Sequence, residues 1–213
     1  MPHPTLPLAP RTPSRRPPRL AGAALLALVL VAAGCGGSSG DKVGLIGDSI
    51  TDLTRKPLTD ALGTNHTVEI VGKFGARSDQ VIDDVKVIAA SHPDAAIINI
   101  GTNDALQQVP PEQTAANIAK ILDLLGDVGC RYLVQINEGI TDKASGASRA
   151  AEAKALNAKI TELADQKDVR VIEWNRTIAD HGGVGAVTFD TVHLSDRGIV
   201  LMADAYRTAL EDC

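Results

Sequence analysis

Short apolar runs rich in β-branched residues alternate with longer amphipathic stretches from residue 43 to the C-terminus. The runs at 43–46, 67–71, 95–100, 132–136 and 169–172 predict five strands. The stretches at 53–62, 78–90, 111–125, 148–166 and 195–211 predict helices, the first of them short and weakly patterned. In the third, Ile118, Ile121, Leu122 and Leu125 share one face. Pro111 suits its first turn, and Gly126 and Gly129 follow its end. Strand-then-helix alternation predicts an α/β fold with a five-stranded parallel sheet and helices on both faces, a three-layer α/β/α sandwich. The run Ala95-Ala96-Ile97-Ile98-Asn99-Ile100 is nearly all apolar, as a strand covered on both sides requires. Residues 175–192 are Gly-rich and aperiodic, and so long a loop in a compact domain usually carries function. There is no internal repeat.

The first 34 residues break this pattern. Residues 1–19 hold seven of the eleven prolines and four arginines, Arg11, Arg15, Arg16 and Arg19, without an acid. Residues 20–33 are then apolar or small, and too few to span a bilayer as a helix, which takes about 20. A basic start, a short apolar core and small residues at the end predict a secretory signal at 1–34. Val31-Ala32-Ala33-Gly34-Cys35 resembles a bacterial lipobox, which would make Cys35 a lipidated N-terminus. Ala32 stands where that motif more often has Leu, so a cleaved, unlipidated peptide is the alternative. Ser14-Arg15-Arg16 partly resembles a twin-arginine signal, but Pro17-Pro18 follow it, and the export route stays open. Residues 35–41, with Gly36-Gly37-Ser38-Ser39-Gly40, read as a flexible tether. Residues 42–213 are then one domain, large enough to bury a real core. The expected location is the outer face of the cell membrane through the lipid anchor, or free outside the cell without it.

The chain carries 21 basic and 26 acidic residues, and loss of the leader arginines makes it more acidic still. Nothing in that balance suggests a nucleic-acid partner, which normally needs a basic face. Aromatic residues make up only 2%, which argues against stacking platforms for single strands or sugars. Cys130 and Cys213 remain after Cys35. In an exported protein they could pair, tying the last helix to the sheet, or stay free; the sequence leaves this open.

Four polar stretches fall at strand ends. Gly47-Asp48-Ser49-Ile50-Thr51 follows the first strand, Gly75 the second and Gly101-Thr102-Asn103-Asp104 the third. Asp190-Thr191-Val192-His193 ends the loop before the last helix. All lie at the edge of an α/β sheet where ligands bind. Ser49 is a nucleophile once a base takes its proton, and His193 is the natural base. Asp190, three residues earlier, can hold the His193 Nδ1 proton and leave Nε2 to face Ser49. Backbone N–H groups of Ser49 and Gly75 and the Asn103 amide are the available oxyanion donors. Asp48 points away from Ser49 and reads as a structural hydrogen-bonding residue.

These blocks resemble the SGNH (GDSL-like) hydrolases over residues 42–210, with Ile50 in place of the eponymous Leu. The resemblance implies a flavodoxin-like fold, Ser49 as nucleophile, Gly75 and Asn103 as second- and third-block residues, and Asp190 and His193 as the last block. It implies an ester hydrolase working through an acyl-enzyme, without metal or organic cofactor. The segment from Glu173-Trp174-Asn175 to His193-Leu194-Ser195 looks most like members linked to cell-wall and carbohydrate O-acylation. The expected substrate is a small acyl ester or an acylated glycan, in a modest pocket suited to small acyl groups, and the expected state a monomer. An envelope O-acyltransferase would use the same residues, and a non-catalytic envelope-binding lipoprotein is a third reading.

Each block has a bland alternative. Ser49 could cap a helix, Gly101–Asp104 could be a polar turn, and Asp190 with His193 could be half a metal site, although no His-Glu-x-x-His is present. Gly72 rivals Gly75, and His181, beside Asp180, rivals His193. Ser195 reads as a helix cap with Asp196 in the first turn. Trp174 reads as packing rather than a platform, while Asn137 and Glu138 could line the pocket.

Overall fold

The computed structural model describes residues 41–213. The expected leader, Cys35 and most of the tether lie outside the described residues. Five parallel strands form one sheet: β1 (Lys42–Gly47), β2 (Thr67–Gly72), β3 (Ala95–Asn99), β4 (Cys130–Val134) and β5 (Arg170–Ile172). Their order is β2-β1-β3-β4-β5. The chain runs from β1 outward to β2, then crosses back to place β3 on the other side of β1. The strand order therefore reverses between β1 and β3, the place where open α/β sheets bind ligands.

The helices are α1 (Ser49–Leu53), α2 (Arg55–Leu62), α3 (Ile82–Ala90), α4 (Thr102–Leu106), α5 (Pro111–Leu124), α6 (Ala150–Lys167), α7 (Trp174–Asp180), α8 (Val184–Val187) and α9 (Asp196–Glu211). Alternation along each strand splits the core in two. Ile46, Ala96, Ile98 and Leu133 face α3, α5 and α6, packing on Ile88, Ile118, Ile121 and Ile160. Val43, Leu45, Ile97 and Tyr132 face the other way, onto Leu58, Leu62, Trp174, Met202 and Tyr206 of α2, α7 and α9. Every residue of β3 is buried, as its apolar run predicts. The result is the expected three-layer α/β/α sandwich.

Several boundaries differ from the sequence expectation. The helix expected at 53–62 begins earlier, at Ser49, and is interrupted at Thr54, whose Oγ1 donates to the Ile50 carbonyl at 2.6 Å. The helix expected at 78–90 opens with a 3-10 turn over Ser78–Gln80 before α3. The block after β3, whose bland alternative was a polar turn, opens a helix, α4. Much of the supposed loop 175–192 is α7 and α8; both are too short for a helical period to show in the sequence. Strand β4 starts two residues early, at Cys130, and ends at Val134. Cys130 and Cys213 are bonded, with Cα atoms 5.9 Å apart, which pins the end of the chain to the start of β4.

Candidate active site

Ser49, Gly75 and Asn103 follow the C-terminal ends of β1, β2 and β3, and a loop closed against α9 brings Asp190 and His193 to the same edge. The Ser49 Oγ lies 3.0 Å from His193 Nε2. His193 Nδ1 lies 2.8 Å from Asp190 Oδ2. The second carboxylate oxygen, Oδ1, accepts from the backbone N–H of His193 at 2.7 Å and of Val192 at 3.0 Å. One carboxylate thus folds its own turn and orients the imidazole. With Nδ1 donating to Asp190, Nε2 is left to accept the Ser49 proton. Such a relay makes a hydroxyl nucleophilic near neutral pH.

The Asp190–His193 turn is held from outside. Thr191 has φ +70°, an unfavourable conformation for a β-branched residue. Its Oγ1 accepts from the Thr141 N–H at 3.0 Å and its carbonyl from Asn137 Nδ2 at 2.8 Å. Asn137 thus braces the turn, and the Glu138 carboxylate accepts from Asn157 Nδ2 at 3.1 Å. An antiparallel bridge between Thr188 and Leu194 and the Phe189 N–H to His193 carbonyl bond close the loop's base. Ser195 caps α9, accepting from the Gly198 N–H.

On the opposite side, Ser49 is the first residue of α1, so its N–H is among the helix-start donors that no intrahelical carbonyl reaches. Gly75 has φ +68°, and a Cβ there would meet nothing within 4 Å. The positive φ is the conformation that favours glycine here. Asn103 Nδ2 donates to the Ala76 carbonyl at 3.0 Å, which leaves its second N–H uncommitted. Gly72 is a packing residue: a Cβ on it would lie 2.6 Å from the Asp52 nitrogen of α1. His181 Nδ1 donates to the Thr177 carbonyl at 2.9 Å, so it caps α7. Trp174 is buried in the core.

The GDSL-like lipase/acylhydrolase family matches residues 45–199, a span from β1 into α9 that holds all of these groups. The chain belongs to that family. It is therefore an ester hydrolase. Solved structures share its fold. A GDSL-like lipase from Bacteroides thetaiotaomicron is 22% identical with a TM-score of 0.69, over 81% of this chain and 88% of that one. The lipase/acylhydrolase from Enterococcus faecalis is 16% identical with a TM-score of 0.71, over 81% and 96%. An acetylxylan esterase from Geobacillus stearothermophilus is 17% identical with a TM-score of 0.67, over 81% and 94%. No curated protein matches the chain in sequence.

Electrostatics separate the acylhydrolase's two carboxylates. Burial pushes Asp190 up, but hydrogen bonds from the His193 side chain and from the His193 and Val192 N–H groups outweigh it and hold the carboxyl below its ordinary range. Asp48 behaves oppositely. It is fully buried and caps α1, its Oδ1 accepting from the Ile50 N–H at 2.9 Å, while Oδ2 has no partner. Burial raises it to about 7, against the opposing pull of that N–H and of His193. Asp48 is thus the structural residue its position suggested, and its titration is moved into the working range.

Two sets of site residues escape sequence reasoning. Asp104, 1% exposed, accepts from the Ser78 N–H at 2.8 Å, the Ser78 hydroxyl at 2.6 Å and the Thr114 hydroxyl at 3.1 Å. Asn117 Nδ2 donates to the same Ser78 hydroxyl at 3.0 Å. This buried network ties the Gly75 loop to α4 and α5. The second set is the pair of phenylalanines. Phe74 and Phe189 lie near-parallel to the His193 ring, centroids 6.1 and 5.8 Å away. Scarcity of aromatics along the chain is not scarcity at the site: the enzyme has two phenylalanines and both are here.

Proposed function

We propose that this acylhydrolase cleaves short-chain acyl esters through a Ser49–His193–Asp190 triad. The observation that carries the reading is the unbroken hydrogen-bond chain from Asp190 through His193 to Ser49. Ser49 Oγ attacks the ester carbon and gives its proton to His193 Nε2. The carbonyl oxygen, now negative, is met by the N–H groups of Ser49 and Gly75 and the free N–H of Asn103. The alcohol leaves with the proton from His193, and the acyl group stays on Ser49. Water then attacks, His193 takes its proton and returns it to Ser49, and the acid departs. Asp190 keeps its charge throughout and steadies the imidazolium. The acetylxylan esterase named above acts on an acetyl ester, which supports a short acyl group here.

The reading also places the domain outside the cell, on a lipid-modified Cys35 after removal of residues 1–34. The Cys130–Cys213 bond supports an oxidising compartment. A Cys35→Ala protein should leave the membrane fraction; membrane retention would sink the anchor.

Turnover of p-nitrophenyl acetate by the purified domain tests the chemistry. Ser49→Ala and His193→Ala should each lower kcat by about 10³-fold or more, with the remaining rate supplied by oxyanion binding. Equal turnover by wild type and both variants would refute the triad. Acetate released into water, rather than transferred to an added glycan, separates hydrolysis from acyl transfer.

A further inference from the structure

The triad and oxyanion donors account for the reacting atoms but not for the rest of the substrate. The chain has two Phe, two Tyr and one Trp. Trp174, Tyr132 and Tyr206 are buried, whereas Phe74 and Phe189 are 68% and 69% exposed. Every exposed aromatic ring therefore lies against His193. From Phe189 and His193 a groove of about 260 Å³ runs between α1 and the start of α9, walled by Ile50, Leu53, Leu194 and Ile199. Leu53, 54% exposed, is another of the few large apolar side chains left open to solvent. The one hydroxyl in the wall, on Thr54, already donates to the Ile50 carbonyl. A sugar rich in hydroxyls would find little to bond there.

Given the roles proposed for Ser49 and His193, geometry decides which half of the ester meets this groove. His193 Nε2 must hand its proton to the leaving oxygen, so that oxygen arrives alongside the imidazole. The carbonyl oxygen turns instead toward Gly75 and Asn103. The surface flanking His193 therefore flanks the alcohol. We infer that the groove of Phe189, Leu53, Ile50 and Ile199 seats the alcohol half and selects alcohols with an apolar body. An apolar cavity of roughly 150 Å³ holds a benzene ring; a groove of about 260 Å³ accommodates an alkyl or cycloalkyl body of about six carbons. The preferred substrate is then a short acyl group on a larger apolar alcohol.

Alkyl acetates test this, because alkanols of increasing length differ little as leaving groups. From methyl to hexyl acetate, kcat/KM should rise about tenfold or more as methylenes enter the groove. The matched series of methyl acetate, butyrate and hexanoate should show no such rise. Leu53→Ala and Phe189→Ala, both at exposed positions, should flatten the alcohol slope, Leu53→Ala without removing a ring from His193. A rise with acyl rather than alcohol length would overturn the inference. So would an unchanged slope in both variants, or acetylated xylose preferred to hexyl acetate. The groove is also read without turnover, by saturation-transfer NMR of 1-hexanol on the intact domain. If no ester is hydrolysed beyond the Ser49→Ala level, the proposed triad fails. Saturation transfer to hexanol that disappears in Leu53→Ala would still support the groove, and absence of hexanol binding to the wild type would sink it.

Discussion

Asp48 and Asp190 are the same side chain put to opposite uses by their surroundings. Asp190 sits in a turn whose N–H groups and imidazole favour its charge, so it stays ionised below the ordinary carboxylate range. Asp48, one residue before Ser49, is fully buried with a single backbone N–H on its carboxylate, and holds its proton to about pH 7. The unfolded chain loses that proton near pH 4. Between those values the folded state binds the extra proton, so this group makes stability fall as pH rises from about 4 to about 7 and adds no slope above. An Asp48→Asn amide keeps the Ile50 bond, and its N–H can donate to Thr102 Oγ1, a buried hydroxyl without a partner. Asp48→Asn should therefore be more stable than wild type at pH 8, on the order of a few kcal/mol, and match it near pH 4. Thermal melts at the two values check this. A variant less stable at pH 8 would mean that Asp48 is charged and held by something other than the Ile50 N–H.

At the scale of elements, the candidate oxyanion donors are set by bonds between loops that share no sequence neighbourhood. The Gly75 loop follows β2 and Asn103 opens α4; Asp104 joins them through Ser78 and reaches α5 through Thr114. Removing Asp104 leaves three buried donors unpaired, and each costs about 1–3 kcal/mol. Asp104→Ala should lower stability by several kcal/mol and displace Gly75 and Asn103 together. Its effect on kcat should then be less than additive with Asn103→Ala, because the second change removes a donor already misplaced. Full additivity in the double mutant would show that the network serves stability alone. The split of the expected 53–62 helix has a similar local cause. Thr54 back-bonds to Ile50, ends α1 after five residues and restarts the chain as α2. Leu53, the last residue before that break, lines the groove.

At the scale of the molecule, the ends of the sheet are divided. The candidate site occupies the C-terminal edge, and the Cys130–Cys213 bond lies at the opposite one, at the start of β4. It spans 83 residues and ties down the end of the chain after α9, the helix that follows His193. By chain entropy, closing a loop of that length stabilises by about 4–5 kcal/mol. Replacing both cysteines with alanine, or reducing the bond, should lower Tm by roughly 5–15 °C. At temperatures well below that Tm, kcat on p-nitrophenyl acetate should stay within about twofold. A large fall in kcat at such temperatures would show that α9 transmits the restraint to His193.

Hydrophobic period determined most of the architecture. A run such as Ala95 to Ile100 has no stable place except between two layers, and the strand–helix alternation around it permits a parallel sheet and little else. The sequence also carried the candidate reacting groups, because the first three polar blocks fall just after apolar runs and the Asp–x–x–His spacing is local. It could not carry contacts between distant segments. Nothing near Asp104 announces Ser78, nothing near Thr191 announces Asn137 and Thr141, and two phenylalanines 115 positions apart read as scarcity until the fold sets both against one imidazole. The pairing of Cys130 with Cys213 was likewise decided by where α9 ends over the sheet. Local spacing can encode a reacting group, but burial, strain and shape at the site come from surfaces that meet only when the layers close.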